Sequence, residues 1–359
     1  MAAHSSQRPD VGIALLSQRA LRLPLVLVFV GLSGCLEDLP DPTLVDDLRV
    51  LAVRAEPPEV SPGATVTLDA LVVDPLGRPR TYAWYACIVA DQGAGFFGGG
   101  GETSTSGGRG TALSDDPYGD SCIRRYEAGE RWAMRLGEEP TATFEVPSDL
   151  FDSQDALKAA YGLSEDLTIP AEVELGFLGI AGMNYTVTLV VEVDGRRIET
   201  QKRVNISRDL QATNNRPNLN PDQPSIHVAD RELKVEAPGT APVPSVGRCF
   251  LDESAPISAG RTFNLTPINF PDPPVDYLVL LAGTTTDQPF EIVEREEVLF
   301  YSFFATQGSL GKEVSKSTGE PANEFRLKAD EAGPMDLWVV VRDGRGGASW
   351  CHEPLVALP

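Results

Sequence analysis

The stretch NYTVTLVVEVDGRRIETQKRVNI, residues 184–206, constrains the fold more than any other part of the chain. Tyr185, Val187, Leu189, Val191 and Val193 fall on alternate positions, with Thr186, Thr188 and Glu192 between them. A period of two gathers apolar groups on one side only when the backbone is extended. The dipeptide Asp194-Gly195 then accepts the positive φ angles of a tight hairpin turn. These residues therefore form a β-hairpin with one face to bury, and the rest of the chain must supply what covers it.

The same signals recur. Leu48–Ala55 is apolar and β-branched, and Ser61-Pro62-Gly63 is a turn. Thr65–Val73 alternates, with Val66, Leu68, Ala70 and Val72 on one side, and Asp74-Pro75-Leu76-Gly77 turns it back. TYAWYACIV then places Tyr82, Trp84, Ala86 and Ile88 on one face, and TATFEV (141–146) is a further strand. A short helix is expected over Ser153–Tyr161, capped by Ser153 and stopped by Gly162. After TNNRPNLNPDQP come RTFNLTPI, VDYLVLLA, EVLFYSFFATQG, NEFRLKA and MDLWVVVRDGRGGASWCHEPLVAL, all read as strands. In the last, Met335, Leu337, Val339 and Val341 point inward and Asp343-Gly344 begins the turn.

The run SPGATVTLDALVVDPLGRPRTYAWYA resembles the early strands of bacterial immunoglobulin-like modules. By that resemblance Trp84 is the core tryptophan of the third strand, and Tyr185 takes the place of a tyrosine corner. The final hairpin is similar to that of PKD-like modules. The expected fold is all-β, two immunoglobulin-like sandwiches in tandem with a short helix inserted in the first. The boundaries read as 1–34 signal peptide, 35–47 acidic linker, 48–210 first sandwich, 211–224 linker and 225–359 second sandwich.

Upstream of these modules, Arg8, Arg19 and Arg22 precede the short apolar run Leu23–Val30. The run is too short to cross a bilayer and has the order of an export signal. It ends in Leu32-Ser33-Gly34-Cys35, which resembles the lipobox of bacterial lipoproteins. The resemblance implies cleavage before Cys35, lipid on its thiol, and an envelope location, with Leu36 favouring the outer membrane. The partner expected for the N-terminus is therefore a membrane. The net charge of −22 repels phosphate backbones and argues against nucleic acid.

Cys87, Cys122, Cys249 and Cys351 are even in number, as expected of disulfides in an exported chain. Three connectivities are open; pairing within each half, Cys87 with Cys122 and Cys249 with Cys351, is the simplest. No C-x₂-C occurs and histidines are few, so no metal or cofactor is expected.

Catalytic motifs are thin. The Gly-rich stretch 93–110 lacks a P-loop lysine pattern, and Phe96 and Phe97 within it are either buried on the parent domain, the favoured reading, or a partner, ligand or membrane contact. Ser309-Leu-Gly-Lys312 matches S-x-x-K without its companion motifs. His227 and His352 offer a base without a nucleophile elbow. Asp115, Asp116 and Asp120 form an acidic loop without EF-hand order. Trp338 and Trp350, with Trp132, either pack at a domain interface, the favoured reading, or form a sugar-stacking platform if the last hairpin leans them outward.

The expected function is non-catalytic: a structural, scaffolding or adhesion-like ligand-binding lipoprotein with an envelope protein or polysaccharide as partner. An accessory subunit of a secretion or assembly complex is one alternative. A carbohydrate-binding or hydrolytic surface protein is another.

Overall fold

The computed structural model describes residues 41–88, 122–161, 164–166, 168, 169, 174, 182–208, 217–231, 247–251, 256–268, 270, 275–285 and 288–359. The first half runs β1 (Arg49–Glu56), β2 (Glu59–Val60), β3 (Thr65–Val73), β4 (Thr81–Ile88), α1 (Cys122–Glu127), β5 (Met134–Gly137), β6 (Ala142–Glu145), α2 (Asp155–Tyr161), β7 (Met183–Val193) and β8 (Arg196–Ile206). The second runs β9 (Ile226–Asp230), β10 (Thr262–Pro267), β11 (Asp276–Thr285), β12 (Gln288–Glu296), β13 (Phe300–Ala305), β14 (Ser309–Leu310), β15 (Val314–Lys316), β16 (Asn323–Arg326), β17 (Gly333–Arg342) and β18 (Ala348–Ala357). The chain is all-β, as its alternation requires.

In the first sandwich a three-stranded sheet, β1-β3-β6, faces a five-stranded sheet, β2-β8-β7-β4-β5. The alternating residues of β7 meet those of β3, β4 and β6 in one core. Trp84, Tyr185, Val187, Leu189 and Leu68 are buried there. Each large side chain so buried stabilises the fold by roughly 1.5–3 kcal/mol. Trp84 Nε1 donates to Glu139 O at 2.9 Å, so the indole is buried without an orphaned donor. The Tyr185 hydroxyl donates to Trp132 O, and its ring stacks on Phe144 at 5.7 Å. The β7–β8 turn has φ of 49° at Asp194 and 80° at Gly195, the two positive angles its sequence permits. Helix α2 begins as expected, with Asp155 N bonded to Ser153 Oγ at 3.3 Å.

The second sandwich packs the four-stranded sheet β14-β16-β10-β9 against β15-β13-β17-β18. Its core gathers Phe263, Leu265, Tyr301, Phe303, Phe325, Leu337 and Val339. Met335, Leu337, Val339 and Val341 all face inward.

Three features differ from the sequence reading. VDYLVLLA is not placed in either sandwich sheet: among the described residues β11 pairs with β12 in a separate two-stranded sheet. Its apolar run lacks the alternation that would give it one face to bury. The last residues of the segment expected as an acidic linker are built in. Leu44 bridges Ala305, Val45 N donates to Ala305 O at 2.8 Å, and Val45 is fully buried. The described end of the second linker is also anchored, by Asn218 N and Asn220 Nδ2. Among the described residues no helix is long and apolar enough to cross a membrane.

Candidate functional site

A set of buried polar groups lies where the sandwiches meet, beside an apolar seam. The seam starts with a bulge in β1. The register against β3 shifts between Val50 and Ala52, so Leu51 and Ala52 turn away from the core that holds Val53 and Ala55. A bulge re-aims side chains at the point where it interrupts pairing. Here it presents Leu51 and Ala52 to Phe304, Trp338 and Val340 of the second sandwich, with Val45 and Val73 completing the cluster. Arg342 crosses the seam, donating to Leu51 O at 2.8 Å and to Ser302 Oγ at 3.2 Å. Burial lowers its pKa to about 10.

Beside the seam sits Glu59, on the two-residue strand β2. Its Oε1 accepts Ser207 Oγ at 2.6 Å and Asn205 Nδ2 at 3.1 Å, and its Oε2 accepts Asn218 N at 2.6 Å. Arg345, from the β17–β18 turn, reaches Glu59 at 3.5 Å and Glu297 at 3.6 Å. The same guanidinium lies 4.4 Å over the Tyr277 ring. Asp343 shapes that turn by accepting Arg345 N at 2.7 Å and Gly347 N at 2.8 Å. A side chain at Gly347 would meet Asp343 Oδ2 at 2.2 Å, so the close approach requires glycine. Lys202 of β8 donates to Gly346 O, and burial, against the pull of Asp343, pushes its ammonium down to about 8. Burial raises the pKa of Glu297, with Asp343 adding to it. Asn220 closes the joint, donating to Ala55 O at 2.8 Å and accepting Ala348 N at 2.9 Å.

A buried carboxylate with this many donors is an anchor: removing one partner strands the others, at about 3–5 kcal/mol for a buried ion pair. The joint fixes two modules as one body. Sequence reasoning missed it. Glu59 follows Pro57-Pro58 like an ordinary turn residue, and nothing local pairs it with Arg345.

The residues singled out from sequence are placed as follows. Cys87 and Cys122 are bonded, tying β4 to α1, and Cys249 is bonded to Cys351 of β18. Above the second disulfide, Glu353 is buried and accepts Cys249 N and Phe250 N, each at 2.9 Å. Trp338 does not lean into solvent. It is 5% exposed in the seam, stacked on His352 at 5.2 Å. Trp350 packs against the same seam, with Arg54 4.8 Å over its ring. Of the two readings of these tryptophans, packing at a domain interface is the one observed and the sugar platform is not: the outward face of the last hairpin is the face the first sandwich covers. His352 Nε2 lies 2.7 Å from Asp336 Oδ1. Lys312 Nζ points to the carbonyls of Glu320 and Ala322, so it serves its own loop. His227 is buried on β9. Cys35, Phe96, Phe97, Asp115, Asp116 and Asp120 lie outside the described residues. Among the described residues no group of three or more His, Cys, Asp or Glu is placed to hold a metal ion.

No family model matches the chain, and no curated protein matches it. Solved structures give distant likenesses. A red sea bream transglutaminase aligns over 88% of this chain and 32% of its own, at 11% identity and a TM-score of 0.20. The Yersinia pseudotuberculosis adhesin InvE aligns over 86% of this chain and 60% of its own, at 10% identity and a TM-score of 0.17. Three N-terminal domains of the bacteriophage RB49 outer capsid protein Hoc align over 87% of this chain and all of theirs, at 11% identity and a TM-score of 0.16. The chain thus spans about a third of the transglutaminase and three fifths of the adhesin. Likeness at this level carries no argument for what the chain does.

Proposed function

We propose that this chain is a bacterial envelope lipoprotein, held to the outer membrane by lipid on Cys35, whose paired sandwiches form a non-catalytic binding or scaffolding body. The observation that carries the reading is the joint. Glu59 meets Arg345, Lys202 donates to Gly346 O, and Asn220 bonds both Ala55 O and Ala348 N, so polar contacts cross between the sandwiches beside an apolar seam, with Asp343 shaping the turn that carries Arg345. Such a joint suits a protein that presents a surface at a set orientation. Two disulfides support an oxidising compartment. The Leu32-Ser33-Gly34-Cys35 motif supports the anchor. More than one acyl chain makes such an anchor stable, where a single one binds only reversibly.

Mass spectrometry of the native protein together with fractionation tests this. A mature chain beginning at an acylated Cys35, and release of Cys35→Ala into the soluble fraction, are the expected results. An unmodified chain, or a Cys35→Ala protein that still sediments with membranes, contradicts the anchor.

A further inference from the structure

We infer that one end of the molecule faces the bilayer, with Leu76 of the β3–β4 turn, Val356 of β18 and Leu358 just beyond it resting in the headgroup layer. The inference rests on the anchor reading above and adds which surface meets the lipid.

The sandwiches lie side by side, and their strands fix a common direction. At the joint Asn220 ties Ala55 O to Ala348 N. From there β1 read backwards and β18 read forwards run together. Arg54 lies over Trp350, and Leu51 shares the seam with Trp338, which stands across from His352. At the far end, Arg49 pairs with Val73 beside the β3–β4 turn, and Thr81 pairs with Glu192 beside the β7–β8 turn. Val356 stands there too, across from Pro334. Strand rise places it about 27 Å from Ala348.

Leu76 is 65% exposed, Val356 66% and Leu358 47%. Single exposed apolar side chains are ordinary. These three matter because of where the N-terminal segment leaves the body. Ala305 N donates to Thr43 O at 3.0 Å and Val45 N to Ala305 O at 2.8 Å, which pins the segment to the second sandwich. Asp47 accepts Arg78 and Arg196 from the two turns of the first. Arg49 Nη1 donates to Pro42 O at 2.7 Å and to Leu44 O at 3.0 Å. The segment is therefore a strap bonded to both sandwiches, and it holds Asp41 at this end.

Only Cys35–Pro40 lie between that point and the lipid, a length that spans at most about 20 Å. A small folded domain is about 30 Å across, too large for the gap. A protein partner seated between this end and the bilayer is thus disfavoured by length. Charge agrees. A chain of net charge −22 is repelled by anionic headgroups. At this end arginines offset the acid: Arg78 and Arg196 pair with Asp47, Arg78 with Asp74, and Arg80 donates to Val72 O at 3.0 Å.

The test uses the full chain, purified with its lipid and placed in phosphatidylethanolamine vesicles holding a minority of phosphatidylglycerol. The acyl chains carry bromine near the headgroup, where it quenches tryptophan. Leu76→Trp and Val356→Trp are compared with Leu219→Trp, an equally exposed position beside Asn220 at the joint. After subtraction of the unsubstituted chain, the first two are expected to lose about threefold more emission than the third, because an interfacial apolar group sits roughly 5–10 Å into the acyl boundary. Equal loss at all three positions, or greater loss at Leu219→Trp, in a chain that floats with the vesicles overturns the membrane-facing end and leaves the anchor standing. Emission at Leu76→Trp that ignores bromine but follows the protein-to-lipid ratio places a second copy there and overturns it as well. A chain that does not float fails the anchor, and this inference falls with it.

Discussion

Two hairpins of similar length, β7–β8 and β11–β12, meet different fates in this molecule. The first lies inside a five-stranded sheet and buries Tyr185, Val187, Leu189 and Val191 in a shared core. The second makes a sheet of its own and leaves Ile292 exposed. Both are rich in strand-forming residues, so propensity does not separate them. What separates them is alternation. β7 has one apolar face and one side for its neighbours, whereas Tyr277-Leu-Val-Leu-Leu-Ala282 is apolar on both faces. Strand pairing is local, and stability comes from what each face packs against.

The comparison can be broken or sharpened by perturbing what lies beneath each hairpin. The largest effect is expected from the Cys249–Cys351 bridge, which closes a separation of 102 residues. Replacing both cysteines with Ser should cost about 5 kcal/mol by the chain-entropy account, read as a lower urea midpoint. The second sandwich should loosen while amide exchange in β11–β12 stays as fast as before. Trp84→Ala comes next, at about 3–5 kcal/mol, because it empties the core beneath β7. Its counterpart on β11–β12, Ile292→Ser, should change stability by no more than about 0.5 kcal/mol. Comparable losses from the two would erase the distinction.

The joint provides a pH test. Lys202 has a folded pKa of about 8, lowered by burial, against roughly 10.4 when unfolded. Between those values the unfolded chain holds more protons, so stability should rise with pH, by on the order of 1 kcal/mol given that Lys202 is only partly buried. Above about pH 10 the trend reverses as the buried phenols of Tyr185 and Tyr301, both raised by desolvation, resist ionisation in the folded state. Lys202→Met should abolish the rise between pH 8 and 10 in chemical denaturation. Tyr185→Phe removes the bond to Trp132 O and should cost about 1 kcal/mol, again with no effect on β11–β12.

Much of the fold was legible because it is written in short-range patterns. Alternation placed β3, β4 and β7, Asp194-Gly195 placed the turn, and Trp84 and Tyr185 marked the first core. β12 was missed because Gln288–Glu296 mixes proline and charge with its apolar residues. The joint was missed because its logic is long-range. Glu59 means little until Arg345 and Asn218 arrive from distant parts of the chain. Trp338 and Trp350 were read on the correct face of their hairpin, but the β1 bulge that covers that face has no signature in the residues around Leu51.

Amide hydrogen exchange across the oxidised full chain tests the central contrast most directly. The account predicts that β7–β8 amides exchange only through global unfolding, while those of β11–β12 exchange by local opening, orders of magnitude faster. Equal protection of the two hairpins would place β11–β12 inside a cooperative core and contradict it.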